Sequence, residues 1–190
     1  FAASVSRTQF DSLSGAQQDF IRSALREFSL IGVRDDHTAG FVAKALDGNV
    51  DFVRKVPDPT FMLDLPQDDL SPVLRRYGID GTKPLAGLLM ADRYFSKVAA
   101  TKLRLLGYLV VSLSYNNDYA DVNLAGALNP LQWAQAFKYF KLCVTNRFHG
   151  CIFCMKNGTP FIAVDDIAAN FDGLTKMECL LNDCGLGEYY

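Results

Sequence analysis

An arginine and a histidine, Arg147 and His149, lie two positions apart where a strand is expected to turn into a helix. Residues 141–144 are typical of the start of a short apolar strand, and the apolar run at 151–155 is typical of a helix. The first amides of a helix have no partner within it, so an anion at this point meets both N–H groups and the guanidinium. An imidazole here can exchange protons near neutral pH. The segment therefore predicts an anion site with proton-transfer chemistry.

Structural roles compete with this interpretation. Arg147 can instead form an ion pair with Asp165 or Asp166 at the end of the next strand, and the spacing alone leaves both options open. A single histidine at a helix start is more often a cap or a packed polar group. Gly150, beside it, permits close approach of the backbone to a ligand.

Charged and polar side chains also follow two earlier strands. Arg34 ends the apolar run at 29–33 and precedes two acidic residues, so an ion pair with Asp35 or Asp36 is its better explanation on spacing alone. Ser114 ends the strand expected at 108–114, and Asn116 follows it. Hydroxyl and amide groups at a strand end suit sugar or nucleotide recognition, and they equally suit any polar loop.

The amino-acid composition limits which classes of protein this chain can belong to. The chain has 190 residues, 49% of them apolar and 21% charged, with a formal net charge of −2, which predicts a globular protein and argues against nucleic acid as a partner. No run approaches the roughly 20 apolar residues of a membrane helix. The first residues lack a starting Met and a signal peptide, so we expect the interior of a longer cytoplasmic protein.

Five cysteines, an odd number, suit a reducing compartment. The pair Cys151 and Cys154 has the spacing of a zinc or redox site, but no second pair lies at ligand spacing and both fall in an apolar helix. Buried structural thiols are the better prediction, and no metal site is expected. The chain also lacks the common glycine-rich phosphate loops, the serine-hydrolase elbow and the HExxH zinc motif.

Strand and helix patterns alternate along the chain and predict an α/β protein with parallel, Rossmann-like sheets. A Pro-, Asp- and Gly-rich stretch at 65–83 is predicted to be a linker between a first domain at 1–64 and a second at 84–190. The helix expected at 14–28 is amphipathic, and its predicted apolar side carries Phe20, Ile21, Leu25 and Phe28. In such sheets ligands bind beyond the carboxyl ends of the strands.

The sequence resembles the polysaccharide pyruvyl transferase family. The resemblance rests on TNRFHGCIF at 145–153 and GTPFIAVD at 158–165, which look like the family's Arg-Phe-His helix start and Gly-x-Pro strand. Support comes from IGVRD at 31–35, VPDPTFML at 56–63 and LLNDCGLGEYY at 180–190. The motifs occur in the family order and span most of the chain. Residues 165–170 depart from the family's more usual aromatic loop, which leaves the acceptor open.

The resemblance implies a GT-B-like architecture of two Rossmann-like domains, of which this chain holds the end of the first and most of the second. It implies transfer of a pyruvyl group from phosphoenolpyruvate to sugar hydroxyls, with a saccharide or lipid-linked saccharide as acceptor and no cofactor beyond the donor substrate. Activity of the piece by itself stays open, as do peripheral membrane association and the oligomeric state.

Residue roles follow from the same resemblance. Arg34 and Arg147 would bind the two charged ends of the donor, and His149 would transfer a proton. The predicted substrate-binding residues are Asn146, Phe148, Gly150, Ser114, Asn116 and Asp165. Two alternatives stay open at this stage: a GT-B glycosyltransferase that uses a nucleotide sugar, and a non-catalytic carbohydrate-binding module of the same fold.

Overall fold

Two parallel β-sheets organise the computed structural model, which describes residues 2–5, 8–165 and 175–189. The chain divides into two compact units, one formed by Phe1–Met62 with Ile167–Tyr190 and the other by Leu63–Asp166. The strands are β1 (Ala2–Ala3), β2 (Ile31–Val33), β3 (Val53–Lys55), β4 (Leu85–Leu89), β5 (Leu109–Ser112), β6 (Val122–Asn123), β7 (Phe140–Thr145) and β8 (Phe161–Ala163). The α-helices are α1 (Gly15–Arg26), α2 (Asp36–Ala45), α3 (Ser71–Arg76), α4 (Arg93–Leu105), α5 (Pro130–Ala136), α6 (Phe148–Asn157) and α7 (Lys176–Asp183).

The first unit has three strands in the order β1-β2-β3, and both neighbouring pairs are parallel. Its helices begin with side-chain caps: Ser14 and Gln17 form a capping box at α1, and the Asp35 carboxylate accepts the Thr38 N–H at 2.7 Å at α2. The core residues are Phe10, Ile31, Val33, Phe41, Val42, Ala45 and Leu46. The unit therefore has a small apolar core of its own.

The prediction for the apolar side of α1 is correct for two of its four residues. Ile21 and Leu25 pack against the core of the first unit, as predicted. Phe20 and Phe28 do not, because their exposed fractions are 74% and 58%. Phe20 lies about 100° around the helix from Ile21, toward solvent, and Phe28 lies two residues beyond the last residue of α1.

The second unit has five parallel strands in the order β6-β5-β4-β7-β8. From β4 the chain first builds the sheet toward β6, and it then returns to the other side of β4 to add β7 and β8. The carboxyl ends of β4 and β7 therefore flank the point at which the strand order reverses. In doubly wound sheets this is the usual place for a ligand.

Strand β4 is buried on both faces and joins the two apolar cores of the second unit. Leu85 and Leu89 pack into one core, while Ala86 and Leu88 pack into the other. This burial explains the continuous apolar run of the strand, since central parallel strands have no solvent-facing side.

The prediction of an α/β fold with parallel sheets is confirmed, although several boundaries differ. The expected linker at 65–83 contains α3, and Leu70, Leu74 and Ile79 are buried in the core of the second unit. The Tyr139 hydroxyl accepts the Leu70 N–H at 2.8 Å, which ties this segment to the sheet. Residues 175–189 belong to the first unit, and β6 was not predicted.

The prediction of buried structural thiols is confirmed for Cys151 and Cys154, which are reduced and buried in α6. Burial, followed by the charge of Asp165 and by Cys143, raises the pKa of Cys151 to about 12. A hydrogen bond with Cys143, followed by burial, also raises the pKa of Cys154. Because the thiolate is the reactive form, the raised pKa values lower the reactivity of both thiols near neutral pH.

Gly87 in the middle of β4 lets β7 approach closely. A Cβ atom at this position would lie 2.7 Å from Cys143 Sγ and 3.3 Å from the Phe140 ring. We therefore expect Gly87→Ala to destabilise the second unit by about 1–3 kcal/mol, the usual cost of overpacking a core. Urea unfolding followed by the fluorescence of Trp133, the single tryptophan, which packs against this core, measures the change.

The control for this prediction is a double-mutant cycle with Cys143→Ala, which removes the clashing sulfur. The cost of Gly87→Ala should be smaller in the Cys143→Ala background than in the wild type. An equal cost in both backgrounds would contradict the explanation.

Candidate functional site

The candidate site lies at the carboxyl ends of β4, β5 and β7 in the second unit. The Asn146 N–H donates to the carbonyl oxygen of Leu89 at 3.2 Å, so β4 and β7 stay joined to their last residues. The Val164 N–H donates to the carbonyl oxygen of Thr145 at 2.8 Å, which holds the end of β8 beside them. Polar side chains that follow these strands therefore meet at one edge of the sheet.

Arg147 occupies the N-cap position of α6, and no side chain caps this helix. Its backbone N–H donates to Thr145 Oγ1 at 3.0 Å, and its side chain is exposed. Among residues 2–5, 8–165 and 175–189, no carboxylate pairs with the guanidinium, so the alternative of an ion pair with Asp165 is not observed; Asp166 lies outside the described residues. The guanidinium instead lies over the ring of Tyr115, with Cζ 4.7 Å from the ring centroid.

Gly150 allows α6 to begin directly at the end of β7. The residue is buried, and a Cβ atom there would collide with Thr145 Oγ1. The close approach that glycine permits at this position is therefore between the helix and the strand. Because Thr145 also binds the backbone of Arg147, this contact fixes the start of the helix.

His149 lies on the first turn of α6, two residues after Arg147, and its side chain is exposed. Its imidazole is nearly perpendicular to the ring of the half-buried Phe148, with centroids 5.5 Å apart. The predicted cation and imidazole are thus on the same turn and open to solvent. This arrangement can present an anion-binding group and a proton-transfer group to one ligand.

Asn146 has an unpaired acceptor beside them. Its Oδ1 atom is buried and has no hydrogen-bond partner within the described part of the chain. A buried acceptor without a partner costs on the order of 1–3 kcal/mol, and such groups are uncommon. A hydrogen-bond donor of a bound ligand would satisfy it.

The loop after β5 forms the next part of the site. A pocket of about 160 Å³ opens between this loop and the end of β4, and Asn116, Arg93, Tyr115 and Tyr119 are among its lining residues. Ser114 is half-buried and does not line the pocket. Asn116 is thus placed where a polar ligand could reach it.

The other predicted residue of the second unit, Asp165, follows β8 and is half-buried. Its charge raises the pKa of the Cys151 thiol, after burial as the larger cause, so the carboxylate lies near the first turns of α6. Within the described residues, no group of three or more His, Cys, Asp or Glu side chains is arranged to hold a metal ion.

Arg34, at the end of β2, belongs to the first unit and pairs with Asp58. The predicted partners were wrong: Asp35 caps α2 and accepts the Ser4 hydroxyl at 2.8 Å, and Asp36 pairs with Lys55 at 3.1 Å. Asp58 also accepts the Thr60 N–H at 2.9 Å. The side chain of Asp58 is 3% exposed and that of Arg34 is 27% exposed, so the pair is largely withdrawn from water.

The sign of the pKa shift at Asp58 follows from these contacts. Burial alone would raise the pKa of Asp58, but the hydrogen bonds from Thr60 and the charge of Arg34 outweigh it and hold the pKa below its ordinary value. The carboxylate is therefore stabilised in its charged form. Asp35 behaves alike: burial raises its pKa, whereas hydrogen bonds from Thr38 and Ser4 lower it to below the ordinary value.

We expect Asp58→Asn to reduce the local stability of the first unit by about 2 kcal/mol at pH 7, because Arg34 loses a charged hydrogen-bond partner. The folded pKa of Asp58 is depressed, so this stabilisation is present above the unfolded pKa of about 4 and is lost as the pH falls through the folded pKa. The difference between wild type and variant should therefore shrink on acidification. Amide hydrogen exchange in β2 and β3 measures it.

Asp51→Asn is the matched control, because Asp51 is an exposed acid just before β3. It should leave exchange in β2 unchanged at every pH. A difference between wild type and Asp58→Asn that stayed constant to well below pH 4 would contradict the assignment.

None of the described helices is both long and apolar enough to cross a membrane. In a comparison with known proteins, the family model described as polysaccharide pyruvyl transferase matches residues 1–166. No curated protein matches the chain. A solved structure with similarity is that of ADP-heptose LPS heptosyltransferase II from E. coli, with 16% identity, a TM-score of 0.44, and coverage of 85% of this chain and 71% of that one.

Proposed function

The chain belongs to the polysaccharide pyruvyl transferase family, and from this premise we propose that the protein transfers a pyruvyl group from phosphoenolpyruvate to two hydroxyls of a saccharide. The product is a cyclic ketal, formed in the cytoplasm during the synthesis of cell-surface polysaccharide. The acceptor is a saccharide or a lipid-linked saccharide, and no cofactor is needed beyond the donor. The GT-B-like pairing of two domains belongs to the same proposal.

The observation that carries the proposal is the state of Arg147. Its guanidinium is exposed at an uncapped helix start beside the switch in strand order, and no carboxylate pairs with it among the described residues. Phosphoenolpyruvate bears a carboxylate and a phosphate, and a planar guanidinium binds either group through two hydrogen bonds. We assign Arg147 to the donor anion, where the amides at the start of α6 add to the attraction.

Arg34 is proposed as the second cation for the donor. Asp58 orients its guanidinium and offsets its charge, so we assign it a smaller share of the binding free energy than Arg147. A guanidinium has five N–H donors in a fixed plane, so orientation by one carboxylate is compatible with contact to a second anion.

The chemistry needs two proton transfers. One hydroxyl oxygen bonds to the central carbon of the donor while the terminal methylene gains a proton, and the second hydroxyl oxygen bonds to the same carbon as phosphate leaves. One of the two hydroxyl protons is balanced by the proton that the new methyl group gains. The other is taken up by the departing phosphate. His149 is placed beside Arg147 and is proposed to relay these protons.

The remaining predicted residues are proposed to bind substrate around this centre. Asn146 Oδ1 would accept a hydroxyl of the acceptor, and Asn116 would bind a sugar in the adjoining pocket. Phe148 and Gly150 lie on the first turn of α6, Asp165 follows β8, and Ser114 lies at the start of the loop after β5. Of these, Gly150 acts through the helix position, since its close neighbour is Thr145.

The test is incubation of the full-length protein with phosphoenolpyruvate and a panel of pyranosides. Release of inorganic phosphate should match the appearance of the ketal methyl group by NMR. Arg147→Ala and His149→Ala should each lower the rate of ketal formation by at least about 100-fold, through loss of electrostatic stabilisation and of proton transfer, respectively. Lys97→Ala is the control, because Lys97 is an exposed cation on α4 without a carboxylate partner among the described residues.

Undiminished turnover in both variants would overturn the proposal. Protection from thermal unfolding by a uridine nucleotide, with none by phosphoenolpyruvate, would instead indicate a glycosyltransferase. An internally paired Arg147 would have favoured a non-catalytic binding module, and the described residues contain no such pair.

A further inference from the structure

Tyr115 is the one aromatic residue that the described structure places against Arg147. The guanidinium carbon lies 4.7 Å from the centre of the Tyr115 ring. Cations within about 6 Å of a ring centroid are attracted by its negative face. Because the guanidinium has no carboxylate partner among the described residues, this ring is its principal support.

The ring itself is held by a fixed loop. The hydroxyl of Ser112, a fully buried residue, donates to the carbonyl oxygen of Tyr115 at 2.7 Å. Two residues further on, the buried Asn117 amide donates to the Met90 carbonyl oxygen at 3.3 Å and to Ser96 Oγ at 3.0 Å. These bonds tie the loop after β5 to the end of β4 and to α4. These hydrogen bonds therefore fix the loop that carries Tyr115 beside Arg147.

A comparison of Arg34 with Arg147 shows what an aromatic support achieves. Asp58 orients Arg34 but also offsets its positive charge. Tyr115 orients Arg147 without adding a negative charge and without using its N–H groups as donors to an acid. A guanidinium held in this way keeps its charge available for an anionic ligand.

We infer that Tyr115 is a positioning residue, which holds the Arg147 guanidinium by cation–π contact in the orientation that binds the anionic donor. This inference rests on the proposed function of the site. Tyr115 acts through Arg147, so its ring is required and its hydroxyl is not.

The test compares Tyr115→Phe, which keeps the ring, with Tyr115→Leu, which removes it. Tyr115→Leu should raise both the Kd and the KM for phosphoenolpyruvate about fivefold, with a smaller effect on kcat, as expected for loss of a cation–π contact at an exposed arginine. Tyr115→Phe should stay within about twofold of the wild type. Tyr77→Leu, at an exposed tyrosine after α3, is the matched control and should change neither constant.

A second measurement detects the contact between Tyr115 and Arg147 without substrate turnover. A proton in the field of an aromatic ring has a displaced NMR signal, and the Arg147 Nε–H signal is assigned by its loss in Arg147→Lys. It should be displaced in the wild type and in Tyr115→Phe, and it should move to the position of a solvent-exposed arginine in Tyr115→Leu. Thermal unfolding followed by Trp133 fluorescence verifies that the variants are folded.

The outcomes separate the two proposals. Wild-type affinity for the donor in Tyr115→Leu overturns the positioning role while leaving the pyruvyl transfer proposal intact. Weaker binding in both Tyr115→Phe and Tyr115→Leu also overturns it, because the hydroxyl would then be the active group. If the wild type neither binds phosphoenolpyruvate nor forms a ketal, the proposed function fails. If the Arg147 signal of the wild type is also undisplaced, the contact between Tyr115 and Arg147 is absent in solution, and the positioning role fails as well.

Discussion

The start of α6 depends on one contact, between the side chain of Thr145 and the bare Cα of Gly150. Any larger residue at 150 would collide with the threonine hydroxyl, which also accepts the N–H of Arg147. The helix can therefore begin three residues after the last residue of β7, and Arg147 becomes its N-cap. Both Arg147 and His149 take their positions from this junction. A looser junction would leave the same residues on a loop, where their side chains would lose more conformational entropy on binding a ligand.

Charge compensation distinguishes the two arginines that follow strands. Arg34 ends a strand of the first unit and is compensated by the buried Asp58, so part of its role is structural whatever else it binds. Arg147 follows β7 of the second unit by two residues, and its guanidinium lies over an aromatic ring. A buried ion pair that loses one partner leaves an uncompensated charge, whereas a guanidinium on a ring face is already open to an anion from solvent. The second arrangement is the better one for a reversible ligand site.

Much of the architecture was predictable because parallel strands and amphipathic helices have distinct periodicities. The alternation, the strands β4, β5, β7 and β8, and the strand-to-helix turn at Arg147 all follow from apolar runs and their polar ends. The segment at 65–83 was misjudged because Pro, Asp and Gly dominate its composition, while three spaced apolar residues, Leu70, Leu74 and Ile79, determine its packing. The partner of Arg34 was also missed, since Asp58 lies far along the chain and becomes a neighbour only through the pairing of β2 with β3.

The contact between Tyr115 and Arg147 shows most clearly why a site is harder to predict than a fold. The two residues follow β5 and β7, which are not adjacent, because β4 lies between them. Neighbouring strands are about 4.8 Å apart, so the strand ends that carry these residues are separated by roughly 10 Å, and only two long side chains can meet across the end of β4. No local pattern in the sequence encodes that meeting; it requires the strand order. The motif around Arg147 thus indicates an anion site, whereas the group that orients its cation comes from the topology of the sheet.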